Sequence, residues 1–207
     1  MKARVGILIL IALSLALLAA AQVTTKNTTS QFQVTSTTFV NNQTLPLSTV
    51  HNIEMNGVNI CSLDGSVGGN QSPELSWTNA PVGTKSFAVV LFDTTASFTH
   101  WGMYNISGTA TGLPENAGVP GSSFGTQVIN DFFIGAEYDG PCPPTNIEPT
   151  VHHYVFTVYA LDKELTLQSS PNFPANAETL YNKLIDAAAA GHVLASAKIT
   201  GLYSTTP

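Results

Sequence analysis

The apolar positions of this chain fall into short runs separated by turn residues. Tyr154 to Asp162 reads Tyr-Val-Phe-Thr-Val-Tyr-Ala-Leu-Asp, β-branched and aromatic with no charge before its end, as a strand covered on both faces does. Phe87 to Phe92 is a second such run and stops at Asp93. A loop of six residues then leads to His100, at the head of Trp101 to Ile106. Strands are predicted over Ser86–Asp93, His100–Ile106, His152–Asp162 and Ala195–Tyr203. Alternation over Gln31–Thr38 predicts another, closed by a turn at Asn41-Asn42-Gln43, and Gly65 to Asn70 reads as a glycine-rich loop. One helix is predicted, Ala177–Ala190, with Asn176 as N-cap, Leu180, Leu184, Ile185 and Ala188 on one stripe, and Gly191 as its stop. From Ile106 to Tyr138 glycines and prolines break every period, so that stretch is expected to be a surface excursion of the kind that lines sites. Many short strands and one late helix predict a mainly-β sandwich with a helix packed on it.

Candidate chemistry gathers at the strand ends. The loop between Asp93 and His100 is short enough for a hairpin, which places both at one end of a sheet. His152 and Tyr154 are two apart, so in a strand they project to one face. Gly140-Pro141-Cys142-Pro143-Pro144 stiffens the approach to that strand. Polar groups at the ends of apolar strands beside a rigid loop point to a small polar pocket.

The first residues change the picture of where the chain works. Lys2 and Arg4, an apolar stretch from Val5 to Leu18, and Ala19-Ala20-Ala21 before Gln22 read as an export signal over residues 1–21, cleaved near Ala21. The apolar stretch is shorter than the about 20 residues a membrane span needs, and no Cys follows it to carry a lipid anchor. Residues 22–30 read as a polar, mobile lead-in and residues 31–207 as one domain; the product is expected to be periplasmic or secreted. Seven basic residues face thirteen acidic ones, and removal of the leader takes Lys2 and Arg4 away as well. That balance excludes nucleic acid as a partner and opposes adsorption to an anionic membrane, so a phospholipid would be held by headgroup capture. Cys61 and Cys142 are the only cysteines; in an exported chain their pairing is the first reading, with two buried thiols as the alternative.

A series of segments is similar to the phosphatidylethanolamine-binding protein family, in its bacterial Raf-kinase-inhibitor-like branch. It comprises Ser72-Pro73-Glu74-Leu75-Ser76-Trp77, Gly83 to Ala88, His100-Trp101 with Tyr104-Asn105-Ile106, Asn130-Asp131-Phe132, Gly140 to Pro144, His152 to Tyr154, and Gly191 to Ala195. The resemblance implies a large antiparallel sheet, a smaller sheet and a C-terminal helix near the pocket. It also implies a site for a phosphate, a phospholipid headgroup or a similar anion at Asp93, His100, Gly140, Pro141, Pro143, His152 and Tyr154. In that site ring, hydroxyl and loop N–H groups donate to the ligand while Asp93 fixes a histidine tautomer. Two departures alter the rim: Thr94-Thr95-Ala96-Ser97 stands where the family pattern continues Pro-Asp-Ala-Pro, and His153 replaces an Arg with its bidentate fork. Relatives that modulate kinases or inhibit proteases make a protein partner conceivable, without pointing to a loop that would serve it.

Singly, Asp93 reads as a turn cap and His100 as a core ring; together with the proline loop and the His-x-Tyr pair they read as a site. The competing class is a hydrolase or isomerase, with His100 and His152 on a metal or a His–Asp acid–base pair. The sequence carries no compact metal or cofactor motif. Gly121-Ser122-Ser123-Phe124-Gly125 matches a nucleophile-elbow pattern but lacks a predicted strand before it and a helix after it. Sequons at Asn27, Asn42, Asn70 and Asn105 matter only in a glycosylating host, and His51 and His192 are expected to be structural.

Overall fold

The structure is a computed structural model and describes residues 30–207. The predicted leader, and all but the last residue of the lead-in, lie outside the described residues. Its strands are β1 (Gln33–Thr35), β2 (Gln43–Thr44), β3 (Glu54–Met55), β4 (Val58–Asn59), β5 (Leu75–Thr78), β6 (Ser86–Asp93), β7 (Phe98–Ser107), β8 (Gly112–Leu113), β9 (Thr126–Gln127), β10 (His152–Leu161) and β11 (Val193–Tyr203). One helix, α1 (Ala177–Ala189), precedes β11. A six-stranded sheet runs in the order β2-β11-β10-β6-β7-β9, a three-stranded sheet in the order β1-β5-β8, and β3 with β4 forms a hairpin. All pairings are antiparallel except β2 with β11, so the large sheet is mixed at one edge rather than wholly antiparallel as expected.

The central strands alternate between two apolar layers, which is why they read as nearly continuous hydrophobic runs. Phe87, Val89 and Leu91 of β6 and Tyr154, Phe156 and Val158 of β10 face inward, where they meet Val34 and Trp77 of the small sheet and Phe32 just before it. Ala88 and Val90 face the other way, with Leu161, toward α1. The helix packs there through Ala177, Leu180, Leu184 and Ala187. Ile185 and Ala188, assigned to the buried stripe from sequence, are exposed, because a helix on a sheet buries a narrow i, i+3, i+7 stripe and these two lie one position further round. Close approach is possible because Gly102 of β7 has no side chain: a Cβ there would lie 2.8 Å from Leu180 Cδ2 and 2.7 Å from Val128 Cγ2. The cap is as read, with Thr179 N donating to Asn176 Oδ1 at 3.0 Å and Asn176 N to Thr179 Oγ1 at 2.9 Å. No helix of the described residues is long and apolar enough to cross a membrane.

Two strands differ from the sequence reading in ways that shape the site. β1 is three residues long, because from Ser36 onward hydroxyl and main-chain groups turn to Glu74 and leave the ladder. β7 begins at Phe98, so the connection from Asp93 is a turn of four residues in which Ser97 takes a positive φ of 54°. The stretch from Ile106 to Tyr138 does carry the short β8 and β9, but Ala117, Val128 and Asn130 in it are buried and it returns under the sheet end.

Candidate functional site

At the open end of β6, β7 and β10, register brings the polar residues together. Asp93 is the cross-strand partner of Tyr154, and Phe98 is the partner of Asp93. His100 has no partner: Trp101 pairs with Leu91 and Thr99 with Phe92, so His100 is the extra residue of a β-bulge. A bulge lets two consecutive residues face one side. His100 and Trp101 therefore both point to the inner layer, while Thr99 stays on the outer face.

Asp93 performs both tasks that its sequence position allows. Its Oδ1 accepts from Thr95 N at 2.8 Å and Ala96 N at 3.2 Å, capping the turn. Its Oδ2 lies 2.6 Å from Nδ1 of His152, which places that ring's proton on Nδ1 and leaves Nε2 for a ligand. His100 is oriented differently: Nδ1 donates to the main-chain carbonyl of Asp139 at 2.9 Å. The Tyr154 ring neighbours both imidazoles, 5.2 Å from the His100 centroid and 6.3 Å from that of His152. Its hydroxyl is fully buried; it makes no hydrogen bond of ordinary length, and its near polar neighbour is the Asp93 carboxylate. Phe98 and Phe132 wall the His100 side with centroids 4.9 and 5.5 Å from that ring.

Burial sets the protonation states. Desolvation pulls the His100 pKa from 6.5 down to about 4, against smaller raising effects of the Asp139 carbonyl, the Asp93 charge, the Gly140 carbonyl and the Asp139 charge, so the ring is neutral at pH 7. Tyr154 is pushed far up, first by burial and then by the Asp93 charge, and stays a phenol.

Gly140, Pro141 and Pro143 direct their hydrogen-bonding groups into the protein. Gly140 N donates to Asn70 Oδ1 at 2.7 Å, and Pro141 and Pro143 carry no N–H. Their carbonyls accept from His51 N at 3.1 Å and from the Thr205 hydroxyl at 2.9 Å. Of these three residues only Gly140 has an N–H, and it is given to Asn70 rather than held free for a ligand. Gly140 is needed for another reason, since a Cβ there would sit 1.9 Å from Thr49 O. The loop is fastened by a Cys61–Cys142 disulfide across 81 positions, so the pairing reading holds over the free-thiol one.

Sequence reasoning missed the second polar layer. Asp139 is buried directly before the loop; Asn70 Nδ2 donates to its Oδ1 at 3.2 Å and Asn130 Nδ2 to its Oδ2 at 2.8 Å. His51, expected to be purely structural, has Nε2 3.6 Å from Asp139 Oδ1 and its ring 4.9 Å from that of Phe132. Since His51 Nδ1 accepts from Asn52 N, its proton sits on Nε2; burial lowers its pKa and the Asp139 charge opposes this. An acid directly before a Gly-Pro segment was the available signal. His192 keeps a structural role, with Nδ1 2.9 Å from Asp162 Oδ1.

Other sites fare less well. No strand precedes Ser123 and no helix follows it, which removes the nucleophile-elbow reading. Among the described residues no three His, Cys, Asp or Glu side chains are grouped to hold a metal ion. Asn105 spends its amide on the main chain of Leu165. A groove of about 570 Å³ lies on the outer sheet face under α1, lined by Phe92, Val155, Tyr159, Leu180 and Lys198. It holds none of the unpartnered polar atoms, so chemistry rather than width marks the site.

The sequence model named phosphatidylethanolamine-binding protein matches residues 35–204. The chain belongs to the phosphatidylethanolamine-binding protein family. The UPF0098 protein YbcL of Escherichia coli (strain K12) is 44% identical over 108 residues, 48% of this chain and 57% of that protein. A UPF0098 protein of Methanothermobacter thermautotrophicus is 40% identical over 144 residues, 66% of this chain and 84% of that one. The crystal structure of E. coli YbcL, described as a new member of the mammalian PEBP family, superposes with a TM-score of 0.66 at 34% identity, covering 84% of this chain and 99% of that one. These relatives place the chain in the YbhB/YbcL branch of the family. Phosphatidylethanolamine-binding proteins are in general binders rather than catalysts, and family membership supports a binding role here.

Proposed function

We propose that the chain is an exported, non-enzymatic binding protein that captures a small oxyanion, a phosphate or the phosphate of a headgroup, at Asp93, His100, His152 and Tyr154, with Gly140, Pro141 and Pro143 as the adjoining wall. Export draws support from the leader-like start of the sequence and from the disulfide, which suits an oxidising compartment. The observation that carries the binding reading is the Tyr154 hydroxyl, fully buried beside two imidazoles, near the Asp93 carboxylate and without a hydrogen bond of ordinary length. Leaving such a group unpaired costs about 1–3 kcal/mol, a cost that a ligand oxygen would remove. Stability alone would favour Phe at this position.

Tyr154→Phe separates the two roles. Urea unfolding of the ligand-free variant should show stability equal to the parent or higher by about 1 kcal/mol, while calorimetric titration with inorganic phosphate should show affinity lowered about tenfold, as loss of one hydrogen bond of about 1.4 kcal/mol would do. A variant that binds phosphate as the parent does takes Tyr154 out of the site. Release of a hydrolysed or isomerised product from a phosphate ester by the parent would replace the binding reading with an enzymatic one.

A further inference from the structure

The large sheet has a second face, opposite the one that carries Tyr154, and α1 covers only part of it. Ala88 is buried under the helix, whereas Phe92, Val155 and Tyr159 on the same face stay half-buried. With Leu180 they floor the groove of about 570 Å³, a size within the about 300–1,000 Å³ of small-molecule sites. Register sets charges at its two ends. Lys198 of β11 is the cross-strand partner of Thr157 on β10, and both line the groove. On the far side, Thr99 of β7 is the partner of Phe92, which is the partner of Val155. Asp131 is fastened there: Thr99 N donates to its Oδ2 at 2.7 Å, and Asp131 N donates to Thr99 O at 3.0 Å. Ala177 N donates to Ile129 O at 2.8 Å, which brings the first turn of α1, with Glu178, to the Asp131 end. From β11 across β10 and β6 to β7 are three strand spacings, together about 14 Å.

Two acids therefore stand at one end of an apolar floor and a lysine at the other. Every ion pair among the described residues involves a histidine, and none involves these three side chains. A fatty acid would match Lys198 but lay its chain end against two carboxylates, and an amine amphiphile would lay its chain end against the lysine. An elongated apolar molecule with an ammonium at one end and a carboxylate at the other matches both ends. We propose that the groove is a second binding site, for a short apolar peptide with free termini, its ammonium at Asp131 and Glu178 and its carboxylate at Lys198. Extended chain advances about 3.3–3.6 Å per residue, so three or four residues span the groove.

Trileucine and its end-blocked forms make the test. The chain is titrated calorimetrically at pH 7 with trileucine, N-acetyl-trileucine, trileucine amide and dodecanoate. Trileucine is expected to bind about tenfold more tightly than either blocked form, as loss of one charged hydrogen bond would give. Lys198 is exposed, and Lys198→Met keeps an apolar stem while removing the charge. That variant should bind trileucine and its amide equally and still disfavour the N-acetyl form. Equal affinity of the parent for trileucine and the blocked forms, or a preference for the amide that survives in Lys198→Met, overturns the assignment of the ends. Dodecanoate binding as tightly as trileucine overturns the peptide in favour of a single-headed amphiphile. Absence of binding by all four overturns the site. Phosphate reads the opposite face: Lys198→Met should bind it as the parent does, and Tyr154→Phe should leave trileucine affinity unchanged. A fall in trileucine affinity in Tyr154→Phe overturns the independence of the two sites. If Lys198→Met does not fold, the four-ligand comparison on the parent chain decides.

Discussion

Acidification should expose the burial of His100 as a loss of stability. The ring has a pKa near 6.5 when the chain is unfolded and about 4 when it is folded, so between these values the unfolded chain holds a proton that the folded chain does not. Stability from this group is therefore full above pH 6.5 and falls as pH drops toward 4. The loss is about 2 kcal/mol by pH 5 and about 3 kcal/mol by pH 4. His51, also held neutral by burial, adds a loss of the same sign. The assay is urea unfolding at pH 7, 6 and 5, above the range where most carboxylates titrate, on the parent and on His100→Gln. The parent should lose about 2 kcal/mol more than the variant over that window. Imidazole proton shifts followed by NMR give the direct check, with the His100 resonance moving only below pH 5. Parallel stability profiles, or a His100 titration centred near 6.5, would refute the assignment of a neutral buried ring.

Further outcomes follow from the same structure. Replacing both Cys61 and Cys142 by Ser releases a constraint over 81 positions and should cost roughly 4 kcal/mol in denaturant unfolding on loop-closure entropy. Gly140→Ala places a methyl against the Thr49 carbonyl, so it should lower stability by about 2 kcal/mol or more and weaken phosphate binding, whereas Gly57→Ala meets no neighbour and is strained only through its positive φ of 80°. Leu180→Ala, in the layer under α1, should cost about 2–5 kcal/mol in thermal or urea unfolding and leave phosphate affinity of the folded fraction unchanged. Asn176→Ala removes one half of the capping box and should cost about 1 kcal/mol.

The central strands β6 and β10 were legible because they are largely apolar on both faces and end in polar residues: Asp93 and His152 mark strand ends as read, and Asn176 and Gly191 bound the helix. What stayed hidden depends on contacts far apart in the chain. The four-residue turn after Asp93 could not be read because it rests on Asp93 itself capping two N–H groups and on Ser97 adopting a left-handed backbone. Asp139, Asn70, Asn130 and His51 form one buried polar layer, but they come from three loops with no shared period. The resemblance implied N–H donors from the loop, whereas the Gly140 N–H is already given to Asn70. The resemblance assigned Asp93 to a histidine without saying which, and only register shows that it serves His152.

The unpaired residue in β7 ties the chemistry to chain length. Were one position removed between Asp93 and Trp101, regular pairing opposite Phe92 would resume, and the imidazole would swing to the helix side of the sheet, away from Tyr154. Grafting this constellation onto another antiparallel sheet therefore requires copying an insertion along with the side chains, and a histidine placed at the same sequence distance on an unbroken ladder would face the wrong layer.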